Sequence, residues 1–203
     1  VLSQTYKDFE VIVVDDGSTD NTKELLEKYG NKIKYIYQEN KGLAAARNTG
    51  IKSSGGEYLQ FLDSDDCILP EKLKKQSGIL DACPDVGWTY CDCAYRDEAG
   101  NFLGKLSDGF YGQPLTTSGR SRTKEGRPPE GMIFPSVLLK NFLPVNAVLM
   151  RRRCLKVGFF DESLSAFEDI DFWLRLSSKE CVRYIDEPLA SVMVHKGQMS
   201  EDV

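Results

Sequence analysis

The stretch Glu57–Asp66 reads EYLQFLDSDD, and its last four residues hold three carboxylates, Asp63, Asp65 and Asp66, with only Ser64 between them. Three like charges in so short a run repel one another unless something positive shares the site. A hard divalent cation with oxygen ligands is the natural occupant, and such ions often bridge to substrate phosphates. The plainer alternative is a solvated loop that caps the helix opened by Leu69-Pro70-Glu71. For an isolated Asp-x-Asp that alternative is the better one, so the rest of the chain must decide.

Other residues invite the same comparison. Asp15 and Asp16 end the apolar run Phe9–Val14 and precede Gly17-Ser18-Thr19-Asp20, where turn and cap chemistry alone accounts for them. Glu168 and Asp169 fall in the first turn of a helix, where the macrodipole favours negative charge and keeps Asp169 ionised. On those grounds they are a helix start and nothing more. Arg47 and Asn48 sit on an Ala-rich helix. His195 is the single histidine and lies just past a strand end; a lone histidine is more often structural than functional.

These side chains need elements to carry them. The apolar run before Asp63, bounded by Gly55-Gly56, predicts a buried strand of a parallel sheet, whose carboxyl end is where ligands bind in open α/β sheets. Residues 9–14 and 32–37 predict two further strands, with helices over 21–28 (Leu25 and Leu26 inward) and 43–52 between them. Val1–Tyr6 reads as the last turns of a helix. Strand, helix, strand, helix, strand is the order of a right-handed parallel α/β unit. Beyond a helix over 71–82 come strands over 86–95 and 102–106. A Gly-, Pro- and Arg-rich segment follows over 109–131 and reads as a solvated loop or lid. Then come a helix over 132–140, a strand over 146–150 and a short helix over 152–157. The chain closes with a helix over 168–176, in which Asp171 and Arg175 form an i,i+4 pair, and strands over 182–185 and 189–194.

Composition bounds the function. With 203 residues there is material for a substantial core, and 41% hydrophobic with 28% charged residues is ordinary for a globular chain. A net charge of −5 argues against a nucleic-acid-binding surface. No apolar stretch reaches the roughly 20 residues of a membrane span, and no signal-peptide pattern opens the sequence. The six cysteines have neither C-x-x-C nor paired Cys/His spacing. They read as reduced small hydrophobes of a cytoplasmic protein rather than zinc ligands.

Taken together, VIVVDDGSTD, ENKGLAAARNTGI, EYLQFLDSDD and FDESLSAFEDIDFWLRL resemble the motifs of family 2 glycosyltransferases with the GT-A fold, in the family's order and spacing. The resemblance implies one α/β domain over 1–203, a Rossmann-like mixed sheet flanked by helices. Its nucleotide-binding half would be 1–82 and its acceptor-binding half 83–203. It implies a nucleotide-sugar donor, with UDP-sugars the default, and contacts from Asp15, Asp16, Arg47, Asn48, Asp63 and Ser64. It further implies Mn²⁺ or Mg²⁺ held by Asp65 and approached by His195, and Asp169 as the base that deprotonates an acceptor hydroxyl with inversion. The acceptor would be a glycan or a lipid-linked saccharide, in cell-surface polysaccharide or glycan synthesis with peripheral membrane association. The family's first strand and the start of its first helix, with a Pro-x-Tyr-Asn-like contact, have no counterpart in these residues. That strand would be central to the sheet, and its lack would leave buried backbone groups unpaired.

Three other readings compete. A haloacid-dehalogenase-like phosphatase also uses a strand-end Asp-x-Asp, but it wants Thr or Val where Cys67 stands. A sugar nucleotidyltransferase would want a Gly-rich basic loop near its start. A non-catalytic sugar- or protein-binding domain on a glycosyltransferase scaffold is the third.

Overall fold

The computed structural model describes residues 1–109, 128–139 and 142–195. Its first unit is small. Strand β1 (Ile12–Asp16) pairs in parallel with β2 (Lys34–Gln38), Asp16 standing opposite Gln38. Helix α1 (Thr22–Glu27) connects them and buries no residue. Leu25 was expected to face inward and is 46% exposed. Helix α2 (Leu43–Ser53) lies against β1, Gly50 facing Val14, and buries a stripe of Ala44, Arg47, Asn48 and Ile51, of which Ala44 and Ile51 join the core of the larger sheet. The spacing i, i+3, i+4, i+7 is one helix face.

The second sheet is larger and mixed. Its order is β3 (Tyr58–Leu59), β7 (Val148–Arg151), β5 (Val86–Asp97), β8 (Cys181–Val194), β4 (Cys67–Ile68), with β6 (Phe102–Lys105) also on β5. Only β5 and β8 run parallel; β3, β4, β6 and β7 each pair antiparallel. The parallel α/β order expected for the first third therefore holds for β1–β2 alone. β3 pairs with β7 rather than with a strand of the first unit, and the two sheets share no ladder.

Other expectations are corrected here. The strand before the acids was expected over 57–62, but only Tyr58 and Leu59 join the ladder. Beyond them the chain leaves the sheet, and side chains take over its anchoring. The last two strands are a single β8, because the register slips at Cys91/Asp92 opposite Pro188 instead of breaking. A proline has no N–H to give a ladder, and a bulge accommodates it. Val1–Tyr6 is not helical. Gln4 is fully buried and donates its amide to the Leu69 carbonyl (2.6 Å), while its own oxygen accepts from Leu73 N–H (3.1 Å). This pins the segment to the start of α3 (Lys72–Ala82).

The core lies between β5, β7 and β8 and the helices α4 (Phe134–Leu139) and α5 (Glu168–Ser177). Trp88 of β5 and Trp173 of α5 are both fully buried and stack at 6.2 Å between centroids. Phe172 stacks on Phe160 at 4.4 Å. The expected pair forms on the outer face of α5, with Arg175 Nη2 2.6 Å from Asp171 Oδ2. Arg175 also donates to the carbonyls of Val157 and Phe159 and so ties α5 to the segment before it. All six cysteines are free thiols. No helix among the described residues is long and apolar enough to cross a membrane. The expected lid over 109–131 lies mostly outside the described residues.

Candidate active site

Asp15 and Asp16 leave β1 together and do different work. Asp15 is 5% exposed and accepts hydrogen bonds from Ser18 N–H (2.8 Å) and the Tyr35 hydroxyl (2.6 Å). The Tyr35 bond holds the Asp15 carboxyl below its ordinary range and pushes the phenol up to about 12. Asp16 reaches the loop before α2, accepting from Gln38 Nε2 (2.7 Å), Lys41 N–H (3.0 Å) and Gly42 N–H (2.8 Å). Gly17, with φ of 85°, lets the chain turn between them. A Cβ there would sit 2.8 Å from the Asn40 nitrogen, so no larger residue fits without movement.

The acid loop follows β3. Its entry is fixed by Gln60, which donates to the Asn146 carbonyl (3.1 Å) and accepts from the ammonium of Lys72. Lys72 is fully buried, and its hydrogen-bond acceptors are Gln60, Gln76 and the Val148 carbonyl, none of them a carboxylate. Burial lowers its pKa to about 8. Within the loop the three acids diverge. Asp63 pairs with Arg47 Nη2 at 3.0 Å. Asp66 turns inward and accepts from Met193 N–H (3.1 Å), and burial pushes its carboxyl up to about 6. Asp65 points outward, 41% exposed, with its Oδ2 3.1 Å from His195 Nε2. Ser64 is exposed at the turn.

The pairing of β4 with β8 produces that meeting. Cys67 stands opposite Ser191 and Ile68 opposite Ala190, so the residues just before β4 lie beside those at the end of β8. Asp65 and His195 thus offer one carboxylate and one imidazole. Among the described residues no group of three or more His, Cys, Asp or Glu side chains converges. This donor set cannot enclose an ion. The oxygen and nitrogen donors would suit a hard divalent cation whose other ligands come from outside the chain.

Asp169 stands in the first turn of α5, following Phe167, whose φ of 64° puts a bulky residue in the left-handed region. Such strain persists only where the surroundings impose it. Burial raises the Asp169 pKa, and the neighbouring Glu168 charge adds to that. The bond from Ile170 N–H (2.8 Å) and the Arg47 charge oppose the shift without reversing it. The loss of basicity expected from the helix start is not seen: burial raises this carboxyl above its ordinary value.

Arg47 joins the two acid motifs. Its Nη2 meets Asp63, its Nη1 lies 2.6 Å from Glu168 Oε1, and its plane lies over Phe160 at 5.4 Å. The Asn48 side chain closes on Phe160 as well, donating to its carbonyl (2.9 Å) and accepting from its N–H (3.0 Å); it also donates to Glu162. The structure therefore brings Arg47, Asp63 and the Glu168–Asp169 turn together, and Asp65 with His195. Asp15, Asp16 and Asn48 serve bonds within the chain. Glu168 and Gln60 were missed as site residues. The signal for Glu168 was the α2 stripe itself, since an arginine in line with Ala44 and Ile51 must be buried and needs carboxylates.

Uncharacterized glycosyltransferases of Rickettsia felis and Rickettsia typhi are 29% and 32% identical over 201 and 198 residues. Each alignment covers 97% of this chain, but only 30% and 58% of the respective relative. The chain thus spans less than two thirds of the length of these relatives. S. aureus TarS 1–349, solved in complex with UDP, superposes with a TM-score of 0.63 at 26% identity. That match covers 95% of this chain and 54% of the TarS chain, and it agrees with a GT-A mixed sheet flanked by helices. The sequence profile described as Glycosyl transferase family 2 matches residues 1–136, well over half of the 203, and the chain belongs to that family.

Proposed function

We propose that this chain transfers a sugar from a nucleoside diphosphate to an acceptor hydroxyl, with inversion and with help from a divalent cation. The observation that carries this reading is the buried guanidinium of Arg47 held between Asp63 and Glu168. The two terminal nitrogens of that one group bring Asp63 of the acid loop beside Glu168, the residue before Asp169, which supports a donor side and a base within one site.

The incoming hydroxyl attacks the anomeric carbon as the bond to the diphosphate oxygen breaks. Asp169 accepts the hydroxyl proton, and its raised pKa suits it to that task. A single base with direct attack inverts the centre; no second carboxylate is needed as nucleophile. Asp65 and His195 would be the residues to hold Mn²⁺ or Mg²⁺, which when bound would supply positive charge for the departing diphosphate. Asp16 bonds three donors of its own chain, and a carboxylate has about four acceptor sites, so one remains for a nucleoside hydroxyl. UDP is the favoured nucleotide, by analogy with the TarS complex. A glycan or lipid-linked saccharide is the favoured acceptor.

The test is calorimetry with UDP and MnCl₂, followed by a panel of labelled UDP-sugars with saccharide acceptors. Cation-dependent UDP binding and sugar release to an acceptor support transfer. Binding without turnover on any sugar would favour a binding domain on this scaffold instead. No nucleotide binding with or without cation would overturn the reading.

A further inference from the structure

Glu168 lies on α5 and Asp63 on the loop after β3, and no backbone ladder connects the two segments. Their link is Arg47, which projects from α2 and is 8% exposed. The Arg47 Nη1···Glu168 Oε1 separation is 2.6 Å and Nη2···Asp63 Oδ1 is 3.0 Å. The remaining guanidinium nitrogen, Nε, is buried with no hydrogen-bond partner among the described residues. A cation taken out of water in this way depends on its two carboxylates, because loss of either leaves a buried charge short of compensation. Asymmetry between the two acids is marked. The Glu168 side chain is 9% exposed, whereas that of Asp63 is 37% exposed. Glu168 is thus the fixed anchor, and Asp63 is the partner that has somewhere else to go.

Neighbouring contacts make this junction rigid. Asn48, next along α2, grips both backbone groups of Phe160. Phe160 in turn packs edge-on against Phe61 of the acid loop at 5.1 Å and stacks on Phe172 of α5. Beyond Leu59, where its ladder ends, the acid loop is also held by Gln60, the Asp63–Asp66 turn, the Met193 amide, the Asp65–His195 contact and the packing of Phe61 and Leu62 against core side chains.

We propose that Glu168 is a positioning residue: through Arg47 it sets where Asp63 stands, so that the donor-side acid loop and the base-bearing turn of α5 are assembled as one unit. The donor-side role of that loop rests on the function proposed above; the positioning itself does not. A mere core ion pair would hold the fold evenly. A positioning pair instead acts on one distant loop and leaves the sheet alone.

The experiment is amide hydrogen exchange on the whole protein without ligand, compared with calorimetry of UDP in MnCl₂, for Glu168→Gln and for Arg47→Lys. Gln keeps the size of Glu and removes its charge. Lys keeps the charge of Arg but cannot fork to two carboxylates. Exchange over 60–66 is expected to rise roughly tenfold in either variant, the scale of a weakened charge-assisted hydrogen bond, while β5 and β8 amides keep their rates. UDP affinity should fall by about the same factor, and the double variant should lose little more than either single one. Unchanged exchange over 60–66, or a rise spread evenly over the core strands, overturns the proposal. If the loop responds but the unmodified protein binds no UDP, the positioning stands and the proposed function falls.

Discussion

His195 and Asp65 lie 130 positions apart in the chain, and their side chains meet at 3.1 Å. The meeting follows from two antiparallel residue pairs between β4 and β8. If the pair holds the cation, Asp65→Asn removes a charged ligand, and UDP affinity in Mn²⁺ should fall by roughly 100-fold, with His195→Gln costing about tenfold. Affinity without metal should be low and equal in all three proteins. Calorimetry with and without a chelator checks this, and unchanged Mn²⁺-dependent binding in Asp65→Asn would remove the assignment.

Asp169 separates chemistry from binding. Asp169→Asn keeps the shape and a hydrogen-bond acceptor at the helix start, and removes the proton affinity. Transfer should drop by about 10²–10⁴, while UDP affinity and melting temperature stay near those of the unmodified protein. The sign of the pH effect follows from the raised pKa. The base works when ionised, so activity climbs as pH rises through a value above the usual carboxylate range near 4. Single-turnover rates across pH test this, and full transfer by the variant would move the base elsewhere.

Asn48 distinguishes a pocket wall from a scaffold. The side chain is 2% exposed, and its bonds run to Phe160 and Glu162. Asn48→Ala leaves the buried backbone groups of Phe160 unpaired, for which roughly 2–4 kcal/mol of stability is expected to be lost. UDP affinity per folded molecule should hardly change. Urea unfolding beside calorimetry decides the matter. A large affinity loss with normal stability would restore the donor contact.

Lys72 predicts a pH dependence of stability. Its folded pKa, about 8, lies below the unfolded value near 10.5. At neutral pH the buried ammonium costs stability in the folded state. That cost is relieved as pH rises from about 8 towards 10.5, and stability present above 10.5 is lost again as pH falls through 8. The difference between the unmodified protein and Lys72→Met should therefore shift in favour of the unmodified protein over that window, by up to about 3 kcal/mol. Denaturant titrations at pH 7.5 and 10 provide the measurement. A difference that does not change with pH would mean that Lys72 stays charged in the fold.

Local pattern made much of this protein readable. The acids at the ends of apolar runs, the α2 and α5 helices and the Asp171–Arg175 pair follow from periodicity and turn chemistry over a few neighbouring residues. The order of four short motifs pointed to the family. Neighbour-to-neighbour patterns say little, however, about which partner a strand selects. Tyr58–Leu59 reads as well for a long parallel strand as for the two-residue antiparallel one it forms with β7.

Side-chain roles divide along the same line. That Arg47 is buried was implicit in its place beside Ala44 and Ile51, but Asp63 and Glu168 became its partners only once the chain had closed on itself. Asp63, Asp65 and Asp66 look alike in the sequence, yet one balances Arg47, one faces His195 and one turns inward to the Met193 amide. Burial is likewise a collective property, which is why a helix-start dipole suggested an ordinary Asp169 and the folded environment raised its pKa. Short-range sterics and hydrophobic periodicity act over one or two turns of chain, whereas charge pairing and dehydration depend on segments more than a hundred residues apart.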